Sequence, residues 1–322
     1  MARHRRDDDL ALDEGAVVGP SLTMLDGGAP PDGAGGGTAE LAAKPGTGVE
    51  PAAKPNRAGR NLPAAIGIGV LLGAVVVTML FAYRPSMVYL ICLAVGYAII
   101  ELTLAVRATS IRPPVVPLVV GGIAMQAAAW FRGPSGLVMG LFITACAVAI
   151  WRLAEGARGY LDDLAAASLW LLYVPFLGGF VVLLTHPSDG AARVLLFAGA
   201  VVCSDTGGYA VGVLFGRHPL APTVSKGKTW QGFGGSLATC ALCGALIMRF
   251  TFHHPWWQGA LFGLAIALTA TLGDLGESMI KRDLGIKDMG RLLPGHGGLM
   301  DRLDSLLPCA AVSYLLLAGF LG

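Results

Sequence analysis

From Pro63 to the C-terminus the chain is a succession of apolar segments, each close to the roughly 20 residues a helix needs to cross a bilayer. Nine can be marked, near 63–83, 86–106, 114–131, 135–151, 165–185, 191–213, 233–252, 257–280 and 303–321. The expected fold is therefore all-α: a polytopic integral membrane protein of about nine transmembrane helices. Composition agrees, with 54% hydrophobic and 14% charged residues where a soluble domain carries about 25% charged. A net charge of +2 gives no argument for a nucleic-acid partner.

The first 60 residues differ. They are rich in Gly, Ala and Pro, show no apolar period, and cannot bury enough surface to offset chain entropy. The expectation is a disordered cytosolic tail over 1–60 and a membrane-embedded domain over 61–322. The tail lacks the apolar core and small-residue cleavage site of a signal peptide. Three connections, 152–164, 214–232 and 281–302, are longer and polar, and nine spans place all three on one side. Basic residues near the spans concentrate on that side, from Lys54, Arg57 and Arg60 to Arg302. The opposite side has only Arg84, Arg132, Arg193 and Arg249. By the positive-inside rule the polar connections face the cytosol. Arg-rich, Ala- and Gly-rich usage hints at a bacterial gene, so the expected location is a bacterial inner membrane. The six cysteines all sit in apolar stretches and read as small hydrophobes. Cys240-x-x-Cys243 lacks the second pair of a zinc site.

Against this apolar background, the last third carries a dense ionisable run. A charge at bilayer depth costs roughly 2.5–3.5 kcal/mol on insertion scales, so such clusters mark sites. Asp274, Glu277, Ser278 and Lys281 are spaced to share one helix stripe. Asp301, Asp304 and Ser305 repeat the spacing at the start of the last span, after a Gly-rich, basic connection holding Arg282, Lys287, Asp288 and His296. Two facing helices would bring carboxylates to one mouth, and Mg²⁺ selects carboxylate oxygens with room left for phosphate. The bland alternative is helix-end charge, with Asp301 capping and Lys281 snorkelling. His296 lies among Gly295, Gly297 and Gly298, which favours a phosphate contact over a general base. A phosphomonoester, with second pKa about 6, needs little deprotonation before attack.

A second polar region runs from Ser204-Asp205-Thr206-Gly207-Gly208-Tyr209 to Ser225-Lys226-Gly227-Lys228-Thr229-Trp230-Gln231. Gly227-Lys228-Thr229 resembles the end of a P-loop, but Pro222 stands where that motif needs its first glycine. Asp205 and Glu101 both fall inside spans. Asp205 needs a partner or a wet cavity there, and Glu101 has no motif around it.

The C-terminal run resembles the signature of phosphatidate cytidylyltransferases (CDP-diacylglycerol synthases). That pattern is a Ser, Lys-Arg, Lys-Asp and Pro-x-His-Gly-Gly-x-x-Asp-Arg-x-Asp. It is met by Ser278, Lys281-Arg282, Lys287-Asp288, Pro294, His296-Gly297-Gly298, Asp301-Arg302 and Asp304. Asp205 to Tyr209 and Lys228 to Trp230 match upstream elements. Lys226, Gly227 and Gln231 replace a Pro, a Lys and a Glu of the family loop. The resemblance covers roughly 63–322 and implies transfer of the cytidylyl group of CTP to phosphatidate, releasing pyrophosphate. It implies Asp274 and Asp301 as the principal metal carboxylates for Mg²⁺, with a second cation open. It implies Lys281, Arg282, Lys287 and His296 on phosphates, and Ser278 beside them. Asp288, Arg302 and Asp304 would support them, and Asp205, Lys226, Lys228 and Thr229 would attend the nucleotide. It also suggests a homodimer. The residues alone leave two alternatives open, a CTP-dependent polyprenol kinase and a membrane transporter.

Overall fold

A computed structural model describes residues 62–106, 109–286, 288–290 and 298–322. The tail expected over 1–60, with Lys287 and His296, lies outside the described residues. Of the side chain of Lys226 nothing is described either.

The described chain is a helical bundle. Its helices are α1 (Leu62–Ala82), α2 (Ser86–Ala105), α3 (Val115–Ala154), α4 (Tyr160–Leu171), α5 (Leu177–Thr185) and α6 (Gly190–Phe215). A short hairpin of β1 (Pro219–Ala221) and β2 (Ser225–Thr229) follows, then α7 (Trp230–Phe250), α8 (Trp256–Asp283), α9 (Met300–Leu303) and α10 (Leu306–Leu321). The hairpin is the one element that an all-helical expectation leaves out. It folds the polar connection 214–232 back on itself and delivers Thr229 to the start of α7, where its hydroxyl accepts the Gly232 N–H at 3.1 Å.

Among the described residues, seven helices are long and apolar enough to cross a membrane, and Gly73–Ala82 is a shorter apolar stretch. Two of the nine expected segments are missing from this count: α1 enters only as the shorter stretch, and α3 contains two of them in one element. As a straight rod its 40 residues would reach about 60 Å. Instead the chain reverses at Gly133, whose φ of 64° suits glycine, followed at once by Pro134. The two arms then run side by side. A Cβ at Gly140 would lie 3.1 Å from Met125 Cγ, and one at Gly121 would overlap Thr144. The arms coincide with the segments near 114–131 and 135–151.

Packing follows the rule for helices whose solvent is lipid: small residues line the closest helix contacts and let backbones approach. On α8, Gly259, Gly263, Ala267, Ala270 and Gly273 are buried, while Leu264, Leu268 and Leu272 are exposed. Gly259 and Gly263 approach Gly244 and Cys240 of α7 backbone to backbone, so no side chain fits between them. On the other side, α6 and α7 are laced by the Ser236 hydroxyl donating to Ser204 O (2.7 Å) and the Thr239 hydroxyl to Cys203 O (3.0 Å). Core side chains such as Ile99, Leu118, Met125 and Val174 fill one half, and Leu196, Phe262, Ile266 and Leu317 the other.

Between α4 and α5 the helix loosens into a π-turn, Leu172–Phe176, containing Pro175. The buried Gln126 amide donates to the Pro175 carbonyl at 2.7 Å, as fits a turn that cannot complete its own ladder. The turn aims the Tyr173 hydroxyl at the carbonyl of Asp304, 2.9 Å away.

The hairpin reading of α3 has a direct check. Cysteines at Met125 and Gly140, in a background lacking the six native cysteines, should form an intrachain disulfide under mild oxidation. A straight helix would hold them about 22 Å apart and give none.

Candidate active site

The site begins with a backbone approach. A Cβ at Gly273 would lie 2.6 Å from the carbonyl of Asp304 and 3.3 Å from Ser305 Cα, so α8 and the α9–α10 junction touch where α8 has no side chain. Asp274 and Glu277 follow on α8, and Asp304 comes from the facing junction. Carboxylate oxygens from Asp274, Glu277 and Asp304 lie within 4.8 Å of one another. Glu277 and Asp304 are buried, and Asp274 is partly open.

Two lysines face this acidic group from opposite sides. Lys281, one turn along α8, donates to Glu277 Oε2 at 3.2 Å and to Asp301 Oδ1 at 2.9 Å. Lys228, from β2, makes an ion pair with Asp274 Oδ2. Asp274 also lines a cavity of about 340 Å³ with Asp205, Lys228, Thr229, Tyr209 and Phe233. The cavity joins the two polar regions that the sequence keeps about 70 positions apart. Asp205 lies within electrostatic reach of Asp274, Asp304, Lys228 and Arg302.

Asp301 is held differently from its neighbour. Its Oδ2 accepts the N–H groups of Gly298 (2.8 Å) and Met289 (3.0 Å), and its Oδ1 accepts Lys281. The carboxylates brought together are thus Asp274, Glu277 and Asp304, while Asp301 stands one turn from Asp304 and is joined to the group through Lys281. Ser278 is half-buried on α8, Arg282 is exposed near its end, Asp288 is exposed in the following segment, and Arg302 is exposed on α9.

Sequence reasoning placed Glu277 on the right stripe without giving it a role. Its side chain is buried, and its Oε1 has no hydrogen-bond partner among the described residues. A buried carboxylate oxygen left bare is costly unless a cation or donor meets it. Oxygen donors converging from two helices, one face open to a polar cavity, suit a hard divalent cation that keeps room for water and phosphate. The residues present therefore fit a Mg²⁺-type ion.

Glu101 carried no motif in the sequence, yet it reaches the same region from α2. Its oxygens accept the N–H groups of Leu299 (3.2 Å) and Met300 (2.7 Å). Its presence inside a span was the available signal. Gln231 also acquires a task. Its Oε1 accepts the N–H groups of Arg217 (3.1 Å) and His218 (3.3 Å), and its Nε2 lies 2.9 Å from His218 Nδ1. It closes the base of the β-hairpin that carries Lys228 and Thr229, rather than facing the acids.

Comparison with known proteins places the chain among cytidylyltransferases. A profile of the cytidylyltransferase family matches residues 63–320. Over 302 residues the chain is 41% identical to a phosphatidate cytidylyltransferase of Mycobacterium bovis, an alignment covering 87% of this chain and 97% of that protein. Over 281 residues it is 44% identical to one from Mycobacterium leprae, covering 81% and 89%. A phosphatidate cytidylyltransferase of Staphylococcus haemolyticus is 40% identical over 144 residues, covering 44% and 55%.

The backbone approach at Gly273 is testable by volume. Gly273→Val should lower thermal stability in detergent by about 1–3 kcal/mol, because the α9–α10 junction must shift. Gly276→Ala on the same helix, with open space where its Cβ would sit, should unfold like the wild type.

Proposed function

The chain belongs to the cytidylyltransferase family, and we propose that it is a phosphatidate cytidylyltransferase, converting CTP and phosphatidate to CDP-diacylglycerol and pyrophosphate. The observation that carries the reading is the meeting of Asp274, Glu277 and Asp304 beside a cavity lined by Lys228 and Thr229. A phosphate oxygen of phosphatidate attacks the α-phosphorus of CTP. The new O–P bond forms as the bond from the α-phosphorus to the bridging oxygen breaks, and pyrophosphate leaves with that electron pair.

Both reactants are anionic, so the chain's work is to neutralise and align them. In this reading Asp274, Glu277 and Asp304 hold Mg²⁺, with Asp301 close by through Lys281. The ion held there would supply charge neutralisation at the phosphates. Lys228 and Thr229 receive the nucleotide in the cavity. There Lys228 can exchange its carboxylate partner for a phosphate, and Asp205 sets the polarity of the inner wall. Lys281 lies between the carboxylates and the phosphates, with Arg282, Arg302, Lys287 and His296 as further phosphate contacts and Ser278 and Asp288 beside them. Lys226 lies on the same strand as Lys228 and serves the triphosphate. Asp301 orients Lys281 and gathers the loop amides.

The setting proposed is a bacterial inner membrane crossed nine times, counting the two arms of α3 separately and including α1. The site then opens to the cytosol, where the basic connections lie. Exposed aromatic residues support the positions of the span ends. Trp151 and Trp230 stand at helix ends assigned to the inner face, and Tyr83, Trp256 and Trp257 at ends assigned to the outer face.

Purified protein in detergent, assayed with CTP and phosphatidate over a Mg²⁺ series, tests the residues. Asp274→Asn, Asp301→Asn and Asp304→Asn should each lower turnover by about 100-fold or more while the protein still inserts and unfolds cooperatively. Near-normal turnover in any one removes that carboxylate from the proposed machinery.

A further inference from the structure

Glu101 takes no part in the chemistry above, yet it is 3% exposed and bonded to a segment nearly two hundred positions away. The two N–H groups it accepts, from Leu299 and Met300, stand at the start of α9, where a helix has no carbonyl of its own to offer. The cap therefore comes from another helix. The fit around it is close on both sides of the connection: a Cβ at Gly290 or at Gly298 would overlap the Glu101 carboxylate. The second glycine of the His-Gly-Gly element thus leaves room for an acid from α2. Asp301 completes the arrangement by accepting the N–H groups of Met289 and Gly298. The N–H groups of Met289, Gly298, Leu299 and Met300 are divided between two carboxylates, one from α2 and one from α9 itself.

Where α9 begins decides where its acids point. Each residue turns a helix by about 100°, so a start displaced by one residue would aim Asp301 and Asp304 at different neighbours. From this geometry we infer that Glu101 is a positioning residue for the transfer reaction. It fixes the start of α9 from α2 and thereby sets the direction of Asp301 toward Lys281 and of Asp304 toward Asp274 and Glu277. The inference rests on the proposed function for the reaction that Glu101 serves; the contact itself stands apart from it. A carboxylate suits the task because it offers one oxygen to each N–H. Glutamine offers a single acceptor oxygen and turns an NH₂ toward the second N–H, so it keeps part of the contact and loses the rest.

Full-length Glu101→Ala, Glu101→Gln, Gly298→Ala and the double variant Glu101→Ala/Gly298→Ala test this. Each is followed by hydrogen exchange and by steady-state kinetics in Mg²⁺. Exchange of peptides covering 298–303 should quicken by about tenfold or more in Glu101→Ala, with α6, α7 and α8 unchanged. The kcat should fall by about tenfold or more and the Mg²⁺ half-saturation should rise, while KM for phosphatidate stays within about twofold. Glu101→Gln should fall between wild type and Glu101→Ala in all three. Gly298→Ala should be damaging alone and cost much less when Glu101 is already Ala, since both changes strike one contact. Wild-type kcat and exchange in Glu101→Ala would overturn the inference. So would additive losses in the double variant, or exchange that quickens throughout the bundle. If the wild-type protein makes no CDP-diacylglycerol, the proposed function falls. The local exchange in 298–303 then still decides whether Glu101 holds the start of α9.

Discussion

Everything at this site depends on how closely two backbones approach at Gly273. Carboxylates repel one another, and in a low-dielectric bundle that repulsion is expensive. They stay together here because the helices carrying them cannot move apart without losing packing. The absent side chain at Gly273 lets the Asp304 carbonyl come in, and the next residue along α8 is Asp274. The same device recurs along α8, where Gly259 and Gly263 lie against α7. In lipid, where large apolar side chains gain nothing by leaving the hydrocarbon, close contact between small residues does the holding.

That rigidity has a chemical consequence. The acids of α8 and of the α9–α10 junction form one cluster, and Lys228 and Lys281 are its cationic partners. Lys228 arrives on a β-hairpin whose base is closed by Gln231, and Lys281 is shared between Glu277 and Asp301. Under the proposed function, substrate phosphates entering the cavity would meet cations already in place. A buried charge paired in this way costs less to keep than one left alone. The family loop's Glu is replaced by Gln231, and in this fold that position serves the hairpin.

Much of this was legible in the sequence, because membrane spans announce themselves by length and intramembrane acids by being out of place. The segments near 114–131 and 135–151 were separable because Arg132-Gly133-Pro134 interrupts them, and the backbone leaves the helical region at Gly133. The stripe Asp274, Glu277, Ser278 and Lys281 followed from helical spacing alone. What spacing does not carry is the rotation of one helix against another. Spacing alone does not separate Asp301 from Asp304, yet the packing at Gly273 brings Asp304 beside Asp274, while Asp301 meets Lys281 and the loop amides. Glu101 was visible as an oddity, but its partners lie almost two hundred residues on, and no local pattern connects them. The short β-hairpin escaped for a similar reason: its strands are three and five residues long, too short to carry an alternation.

The central claim is that this site moves the cytidylyl group, and isotope position decides it most directly. Purified protein in detergent would be given CTP labelled with ³²P at either the α- or the γ-phosphate, together with phosphatidate and Mg²⁺. The account predicts that α-label enters the lipid while γ-label leaves as pyrophosphate in equal amount. Lipid labelled from the γ-position, with CDP released, would contradict it and make the protein a CTP-dependent lipid kinase.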